Sequence, residues 1–124
     1  MPNLNSEIDI RAHFDKGTDF IEGIWEYTSI TGGSYRLAIF KDKFYYKAYV
    51  IEKSGEFGVG DVKATFERLS NDGNEIISKW TMGDKITKNT TKGSVFQDLR
   101  TISVDDAIIS PTADFSLIKT YPKK

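Results

Sequence analysis

Apolar and polar residues alternate along most of this chain, the period expected of strands with one buried face. The segment VKATFERL, for example, places Val62, Ala64 and Phe66 on one face and Lys63, Thr65 and Glu67 on the other. Turn-forming residues separate eight such segments. The predicted strands are Glu22–Ser29, Ser34–Lys41, Phe44–Glu52, Gly60–Ser70, Glu75–Met82, Lys85–Thr91, Ser94–Ser103 and Asp114–Tyr121. Most connections between them are short, including NDGN at Asn71–Asn74 and KG at Lys92–Gly93, so sequence neighbours are expected to pair as antiparallel hairpins.

An open sheet of eight strands would leave two exposed edges, and the chain has too few helices to cover one of its faces. Closure into a barrel removes both edges and buries one face of every strand. We therefore expect an all-β fold, an eight-stranded antiparallel up-and-down barrel, with a two-sheet β-sandwich as the alternative. The 124 residues form one domain, 1–124, in which 1–20 is a helical segment and 21–121 the barrel.

The first twenty residues follow a different pattern, typical of a short amphipathic helix. Ser6 is a candidate N-cap with Asp9 at the third helical position, and Gly17 supplies a C-terminal stop. The predicted apolar side consists of Ile8, Ala12 and Phe14. We expect this helix to close one end of the barrel. The strands SYRLAIF and FYYKAYVI are apolar on both faces, so they are expected to lie beneath the helix or beneath a partner.

Composition narrows the function classes. The net charge is −1 and the basic residues are scattered, which argues against nucleic acid as a partner. The chain has no Cys and a single His, His13, so thiolate chemistry and an ordinary zinc site are excluded. No apolar run approaches the ~20 residues that span a bilayer, and the first residues do not resemble a signal peptide. We expect no cofactor, no metal, no membrane partner and, on balance, no enzymatic activity.

Gly23-Ile24-Trp25 follows the helical segment and opens the first strand. The triplet resembles the G-x-W motif of the calycins, the superfamily of lipocalins, fatty-acid-binding proteins and avidins. The resemblance implies that Gly23 permits close approach of a crossing segment and that Trp25 plugs the closed end of the barrel. It also implies that a basic side chain from a late strand, Arg100 or Lys119, packs across the indole and caps backbone carbonyls.

The calycin resemblance further implies a small apolar or amphipathic ligand inside the barrel. The candidate ligand-binding residues are Trp25, Tyr27, Tyr35, Leu37, Tyr46, Phe66, Trp80, Phe96 and Arg100, with Ala48 also facing inward. The alternative is that these side chains simply fill the barrel, because eight strands enclose little more than packed side chains. The tyrosine hydroxyls favour a ligand site, since a dry core favours Phe and Leu.

Three further segments carry weaker signals. The strand Lys85–Thr91 is polar on both faces, which is typical of an edge strand in solvent or of the lining of a wet cavity through Lys88, Asn89 and Thr90. The glycines of SGEFGVG lack dinucleotide-binding spacing and indicate a flexible hairpin loop. In a calycin this loop would lie near the barrel mouth, with Phe57 as a lid.

Asp98 and Arg100 lie two residues apart on one strand, which is typical of a structural ion pair.

Three function classes remain open on these observations. The first is a non-enzymatic carrier or sensor of a small hydrophobic ligand. The second is an accessory module with a filled barrel whose doubly apolar strands, Tyr35–Phe40 and Phe44–Ile51, offer an outer patch to a protein partner or a second copy. The third is an enzyme that uses Tyr and Arg or Lys groups in the cavity.

Overall fold

A computed structural model describes residues 1–28, 34–69, 74–81, 85–86, 88–95, 100–104 and 115–122, without the side chains of Tyr27, Thr28, Asn89 and Phe115. Helix α1 spans Glu7–Asp15, and the strands are β1 Gly23–Thr28, β2 Ser34–Asp42, β3 Tyr45–Val50, β4 Val62–Arg68, β5 Glu75–Thr81, β6 Lys88–Val95, β7 Thr101–Val104 and β8 Phe115–Tyr121. The predicted turn at Asn71–Gly73, Phe96, and Asp98 of the predicted ion pair lie outside the described residues.

The eight strands form a closed antiparallel barrel in which each strand pairs with its neighbours in sequence and β8 returns to β1. Trp25 of β1 stands at the point of closure, because it is paired with Leu37 of β2 and with Lys119 of β8. The predicted up-and-down barrel is therefore confirmed, and the alternative of a two-sheet sandwich is wrong. We call the end where β1 begins the base, and the opposite end, where β3 leads into β4, the mouth.

One predicted turn is wrong. Lys92 and Gly93 do not connect two strands but lie within β6, where Ile76 of β5 pairs with Gly93. Gly93 also pairs with Val104 of β7, and a Cβ on it would collide with the carbonyl oxygen of Ser103. A missing Cβ serves a tight turn and a close approach of two strands equally well, and here it serves the second.

A β-bulge changes the face of one strand residue. The pairing of β3 with β4 shifts register between Ala48 and Tyr49, so that Tyr49 pairs with Val62. Lys63, predicted to face solvent, is consequently buried with 7% of its surface exposed. Beyond the bulge the predicted alternation holds, since Ala64 and Phe66 are buried in the interior and Glu67 is exposed.

Helix α1 begins and ends as predicted but buries a different face. The Ser6 hydroxyl accepts a hydrogen bond from the Asp9 amide at 3.3 Å, and Gly17 follows the helix at a φ of +128°. The buried residues are Ile10 and Phe14, whereas Ile8 is 80% exposed and Ala12 is exposed too. The predicted apolar side was therefore wrong at Ile8 and Ala12.

The helix packs against the outer wall of the barrel, so the expectation that it closes one end is wrong. Ile10 and Phe14 form an outer cluster with Ile24, Ala38 and Phe40, and the Phe14 and Phe40 rings stack at 5.0 Å. The prediction that the doubly apolar strands lie beneath the helix is confirmed. The outer patch that these strands were predicted to offer a partner is thereby covered over part of its area.

Candidate functional site

Most of the candidate ligand-binding residues meet inside the barrel. Trp25, Leu37, Tyr46, Phe66 and Trp80 belong to one buried cluster, which includes Ala48, and Tyr35 packs against it. Tyr27 lies opposite Tyr35 in the ladder of β1 and β2, but its side chain and Phe96 are outside the described set. The buried members of this cluster are at most 3% exposed. Where described residues line the interior, it is packed with side chains.

The base of the barrel is closed around Trp25. The indole Nε1 donates a hydrogen bond of 2.7 Å to the carbonyl oxygen of Ile21, which satisfies the one polar group of a fully buried ring. Gly23 has a φ of +147°, and a Cβ there would lie 2.5 Å from the Tyr121 carbonyl oxygen. Glycine is therefore required both by the backbone conformation and by the close approach of β8.

Two basic residues divide the roles that the resemblance assigned to one. The Lys119 Nζ lies 5.2 Å from the centroid of the Trp25 ring system and donates to the Phe20 carbonyl at 3.1 Å. Arg100 instead caps the C-terminal end of β8, donating to the carbonyls of Lys119 and Pro122 at 2.9 Å each. Burial, reinforced by the nearby Arg100 charge, lowers the pKa of Lys119 to about 8.

Two other candidate residues have their polar atoms engaged within the fold. Tyr46 is 3% exposed, and burial together with the neighbouring Asp19 carboxylate raises the pKa of its phenol. The indole Nε1 of Trp80 donates a hydrogen bond of 2.9 Å to the Ser78 hydroxyl. That hydroxyl in turn donates to the Thr91 carbonyl oxygen at 3.4 Å. These contacts are structural, because each fills the hydrogen-bonding needs of a buried group.

The mouth is closed by a loop rather than by strand residues. This lid loop runs from Ile51 to Asp61 and inserts Phe57, which is 2% exposed, into the interior cluster. Phe57 and Ser54 exchange two backbone hydrogen bonds of 3.0 Å, and the Gly58 amide donates to the Asp61 carboxylate at 2.9 Å. The location predicted for Phe57 at the mouth agrees with the structure, where the ring is a plug in contact with the core.

Lys63 lies directly beneath the lid loop. Its Nζ donates to the Thr81 carbonyl oxygen at 2.7 Å and lies 4.2 Å from the ring centroid of Phe57 and 5.0 Å from that of Tyr35. Burial lowers the pKa of Lys63 to about 8, and no charged side chain of the described part of the chain contributes to that shift. A desolvated ammonium with no carboxylate partner among the described residues is costly for the fold, which marks Lys63 as a candidate functional group.

A second cation borders the same aromatic ring. The Lys85 Nζ lies 5.9 Å from the Phe57 centroid and 3.0 Å from the Asp61 carboxylate. Lys85 and Asp61 are both partly exposed, so this pair lies on the solvent side of the mouth. The hydrogen bond from Gly58 and the ion pair with Lys85 lower the pKa of Asp61. The mouth thus combines a buried amine, two aromatic rings and an exposed ion pair.

Sequence reasoning missed Lys63 and Ser78 for different reasons. Ser78 lies between Ile76 and Trp80 in the period of two, so the alternation already placed it inside and only its polarity hid it. Lys63 had no such signal, because a bulge leaves the alternation of residue types unchanged while it turns one side chain to the other face. Only the placement of Gly60 and Asp61 just before β4 hints at an irregular strand start.

Other parts of the described surface add little chemistry. A groove of about 470 Å³ on the outer wall is lined by Glu26, Arg36, Ile118 and Thr120 among others, and Arg36 is already paired with Glu7 and Glu26. Within the described ranges, no three His, Asp or Glu side chains cluster as metal ligands would. The described helix is too short and too polar to cross a bilayer.

Comparisons of this chain with protein-family models, with curated proteins and with solved structures each found no match.

Proposed function

We propose that this protein binds a small apolar or amphipathic molecule at the mouth of a calycin-like barrel. The ligand takes the place of the Phe57 ring and reaches the polar group of Lys63 beneath it. The observation that carries the proposal is that the buried ring of Phe57, which belongs to a loop and not to a strand, is part of the interior cluster. Phe57 can leave the barrel without the loss of any strand pairing.

The backbone of the lid loop supports this motion. Its internal hydrogen bonds join Ser54 to Phe57 and Gly58 to Asp61, and its two ends are bonded to the strands through Ile51 and Gly60. The tip that carries Phe57 can therefore move between two anchored ends. Gly60, at a φ of +97°, lies next to the point where the loop joins β4. A loop with a glycine at its junction is a usual arrangement for lids over binding sites.

The lining of the mouth favours an amphipathic ligand over a purely apolar one. An apolar molecule is accommodated by the Tyr35 ring and the interior cluster, whereas Lys63 offers a hydrogen-bond donor at their edge. Ligand sites commonly join a mostly apolar lining to one or two polar groups that fix orientation. Arg100, one of the residues first predicted to line the site, lies at the base and takes no part in this proposal.

The proposal is tested by titration with the apolar fluorescent dye N-phenyl-1-naphthylamine. Phe57→Ala removes the side chain that the ligand must displace, so the variant should bind the dye about tenfold more tightly than the native protein. Phe44→Ala is the matched control, because Phe44 is 89% exposed at the hairpin between β2 and β3, and its affinity should equal that of the native chain. Equal dye affinity in all three proteins, with near-ultraviolet circular dichroism unchanged, contradicts the proposal.

A filled barrel that serves as a protein-interaction module is the second candidate. It is favoured by the close packing of the described interior, although α1 covers Ala38 and Phe40 of the patch first predicted for the partner. Native mass spectrometry of the purified protein separates the two candidates. A co-purified small molecule supports ligand binding, whereas a bare chain mass with a dimer or larger species supports the interaction module.

A further inference from the structure

The Lys63 amine differs from an ordinary surface lysine in what surrounds it. Its one described hydrogen bond goes to a neutral carbonyl, that of Thr81, and its other neighbours are the Phe57 and Tyr35 rings. Lys63 has only 7% of its surface exposed, and its amine lies beneath the same loop that a ligand has to displace. It therefore faces the incoming ligand.

Such surroundings favour the unprotonated amine. Water stabilises an ammonium far better than ring faces and a carbonyl do, so a buried lysine releases its proton more readily. The unprotonated amine is the nucleophile toward carbonyl compounds, and desolvation in an apolar pocket or a neighbouring cation activates it. Here burial is the cause, and it lowers the pKa of Lys63 to about 8. The Lys85 Nζ lies 5.9 Å from the centroid of the same Phe57 ring and takes no part in that shift.

We propose that Lys63 captures a small apolar aldehyde as a reversible imine, with the Lys85–Asp61 pair as the proton source at the mouth. This inference rests on the proposed function and names the class of its ligand. The geometry behind it is the amine beneath a displaceable aromatic ring, with an ion pair at the solvent edge of the same ring. An apolar aldehyde matches both parts, since its body replaces Phe57 and its carbonyl carbon meets the amine.

The reaction balances without an oxidant or reductant. The Nζ lone pair forms a bond to the carbonyl carbon, the C=O π electrons move to oxygen, and a proton passes from nitrogen to that oxygen to give a carbinolamine. A further proton from the Lys85 ammonium lets the oxygen leave as water while the nitrogen lone pair forms the C=N bond. The resulting iminium returns a proton to Lys85 when the neutral imine forms, and hydrolysis reverses each step.

The test uses the full chain with benzaldehyde and sodium cyanoborohydride, which reduces an imine to a stable amine. Peptide mapping after brief exposure at pH 8 should find Lys63 modified at least tenfold faster than Lys85, although Lys85 is far more exposed. The rate at Lys63 should reach its half-maximum near pH 8, whereas that at an exposed lysine should still be rising above pH 9. Modification distributed over exposed lysines in proportion to their exposure overturns the proposal.

Lys119 provides an internal control within the same chain. Its pKa is also lowered to about 8, but it lies at the base, where strands and not a loop enclose it. A low pKa alone would make both lysines react, so equal modification of Lys63 and Lys119 overturns the assignment to the mouth. Lys85→Gln should slow the modification of Lys63 severalfold. The pH at which that rate is half-maximal should stay near 8. An unchanged rate removes Lys85 from the proposal.

The outcome remains separable from that of the proposed function. If Lys63 stays unmodified while N-phenyl-1-naphthylamine binds as expected, the aldehyde class is wrong and the binding site stands. If the dye does not bind and Lys63 is unmodified, both proposals fail. Lys63→Arg, which keeps a cation beneath the ring, should retain dye binding and lose the selective modification, so that a loss of dye binding in a folded Lys63→Arg variant contradicts the arrangement.

Discussion

The two ends of the barrel use the same combination of groups in different settings. At the base, Lys119 lies over Trp25 and donates to the Phe20 carbonyl. At the mouth, Lys63 lies against Phe57 and donates to the Thr81 carbonyl. Both lysine residues are buried, with 7% of their surface exposed. The aromatic ring at the base belongs to β1, however, whereas the ring at the mouth belongs to a loop.

This difference implies that the two ends differ in how readily they open. The base is held by strand pairing, by the indole hydrogen bond to Ile21 and by the Arg100 caps on β8, so it opens only when the barrel unfolds. The mouth is closed by a loop whose two ends are hydrogen-bonded to β2 and β3 and whose tip, which carries Phe57, is bonded within the loop. Parts of a protein that open locally are drawn from such weakly attached segments.

The largest expected effect compares the two aromatic plugs. Trp25→Ala should lower the free energy of unfolding by about 3 to 5 kcal/mol, because rigid strands cannot collapse into the space that the indole leaves. Phe57→Ala should cost about 1 to 2 kcal/mol, since the lid loop can move toward the vacated space. Urea denaturation of the two variants measures both values. Equal losses would show that the mouth is as rigid as the base.

Glycines near each end give the second comparison. Gly23→Ala should lower the free energy of unfolding by roughly 2 to 4 kcal/mol, because the new Cβ meets the Tyr121 carbonyl and the φ is unfavourable. At Gly60 a Cβ would meet nothing within 4 Å. Gly60→Ala therefore pays only the strain of a positive φ, about 1 kcal/mol. Thermal unfolding followed by circular dichroism measures which variant loses more stability. A greater loss in Gly60→Ala than in Gly23→Ala would contradict the prediction.

The pH dependence of stability reports on both buried lysines. Their folded-state pKa values of about 8 lie below the ordinary value of 10.5, so between these values the unfolded chain binds more protons. Stability should therefore rise with pH above about 8, by roughly 1 to 2 kcal/mol for each lysine up to pH 9.5. Above pH 10 the raised pKa of Tyr46 acts in the opposite direction, which sets the upper limit of the measurement.

Substitutions at the two ends of the barrel show how much of the rise in stability with pH comes from each buried lysine. Lys63→Met and Lys119→Met should each remove about half of it, because each deletes one group that titrates. Phe57→Ala should resemble Lys63→Met, since water that enters the mouth restores an ordinary pKa to Lys63. Urea denaturation at intervals from pH 7 to pH 9.5 gives the slopes. A full rise in Phe57→Ala would show that something other than Phe57 desolvates Lys63.

The smallest effect is expected at the surface of the mouth. Lys85→Met removes the ion pair with Asp61, whose members are both more than a third exposed, and exposed pairs contribute at most about 1 kcal/mol. We expect a change in the free energy of unfolding of less than 1 kcal/mol, together with faster hydrogen exchange at the Gly58 amide, which Asp61 binds. A loss well above that value would mean that Lys85 anchors the lid loop.

The architecture could be predicted from the sequence because it follows from repeated local patterns. Alternation placed Trp25, Phe66 and Trp80 inside, and short connections between eight strands required a closed sheet. The capping residues Ser6 and Gly17 marked the ends of the helix for the same reason. Each of these signals lies within a few neighbouring residues.

The remaining features depend on contacts between distant segments. Ile8 and Ile10 are both apolar, and which of them is buried was decided by how α1 docks on Ile24 and Ala38. The burial of Lys63 depends on a register shift between β3 and β4. The candidate site at the mouth depends on both the bulge and the lid loop. The sequence alone placed Phe57 at the mouth but did not identify the Lys63 amine beneath it.

The position of α1 on the outer wall has a consequence for how the molecule comes apart. Both tryptophans belong to the interior cluster, whereas the helix packs on the outer cluster. Undocking of residues 1–17 would therefore leave both indoles buried and the circular dichroism of the strands unchanged. It would uncover Ile24, Ala38 and Phe40. Undocking of the arm would thus expose an apolar strip on the outer wall while the barrel stays folded.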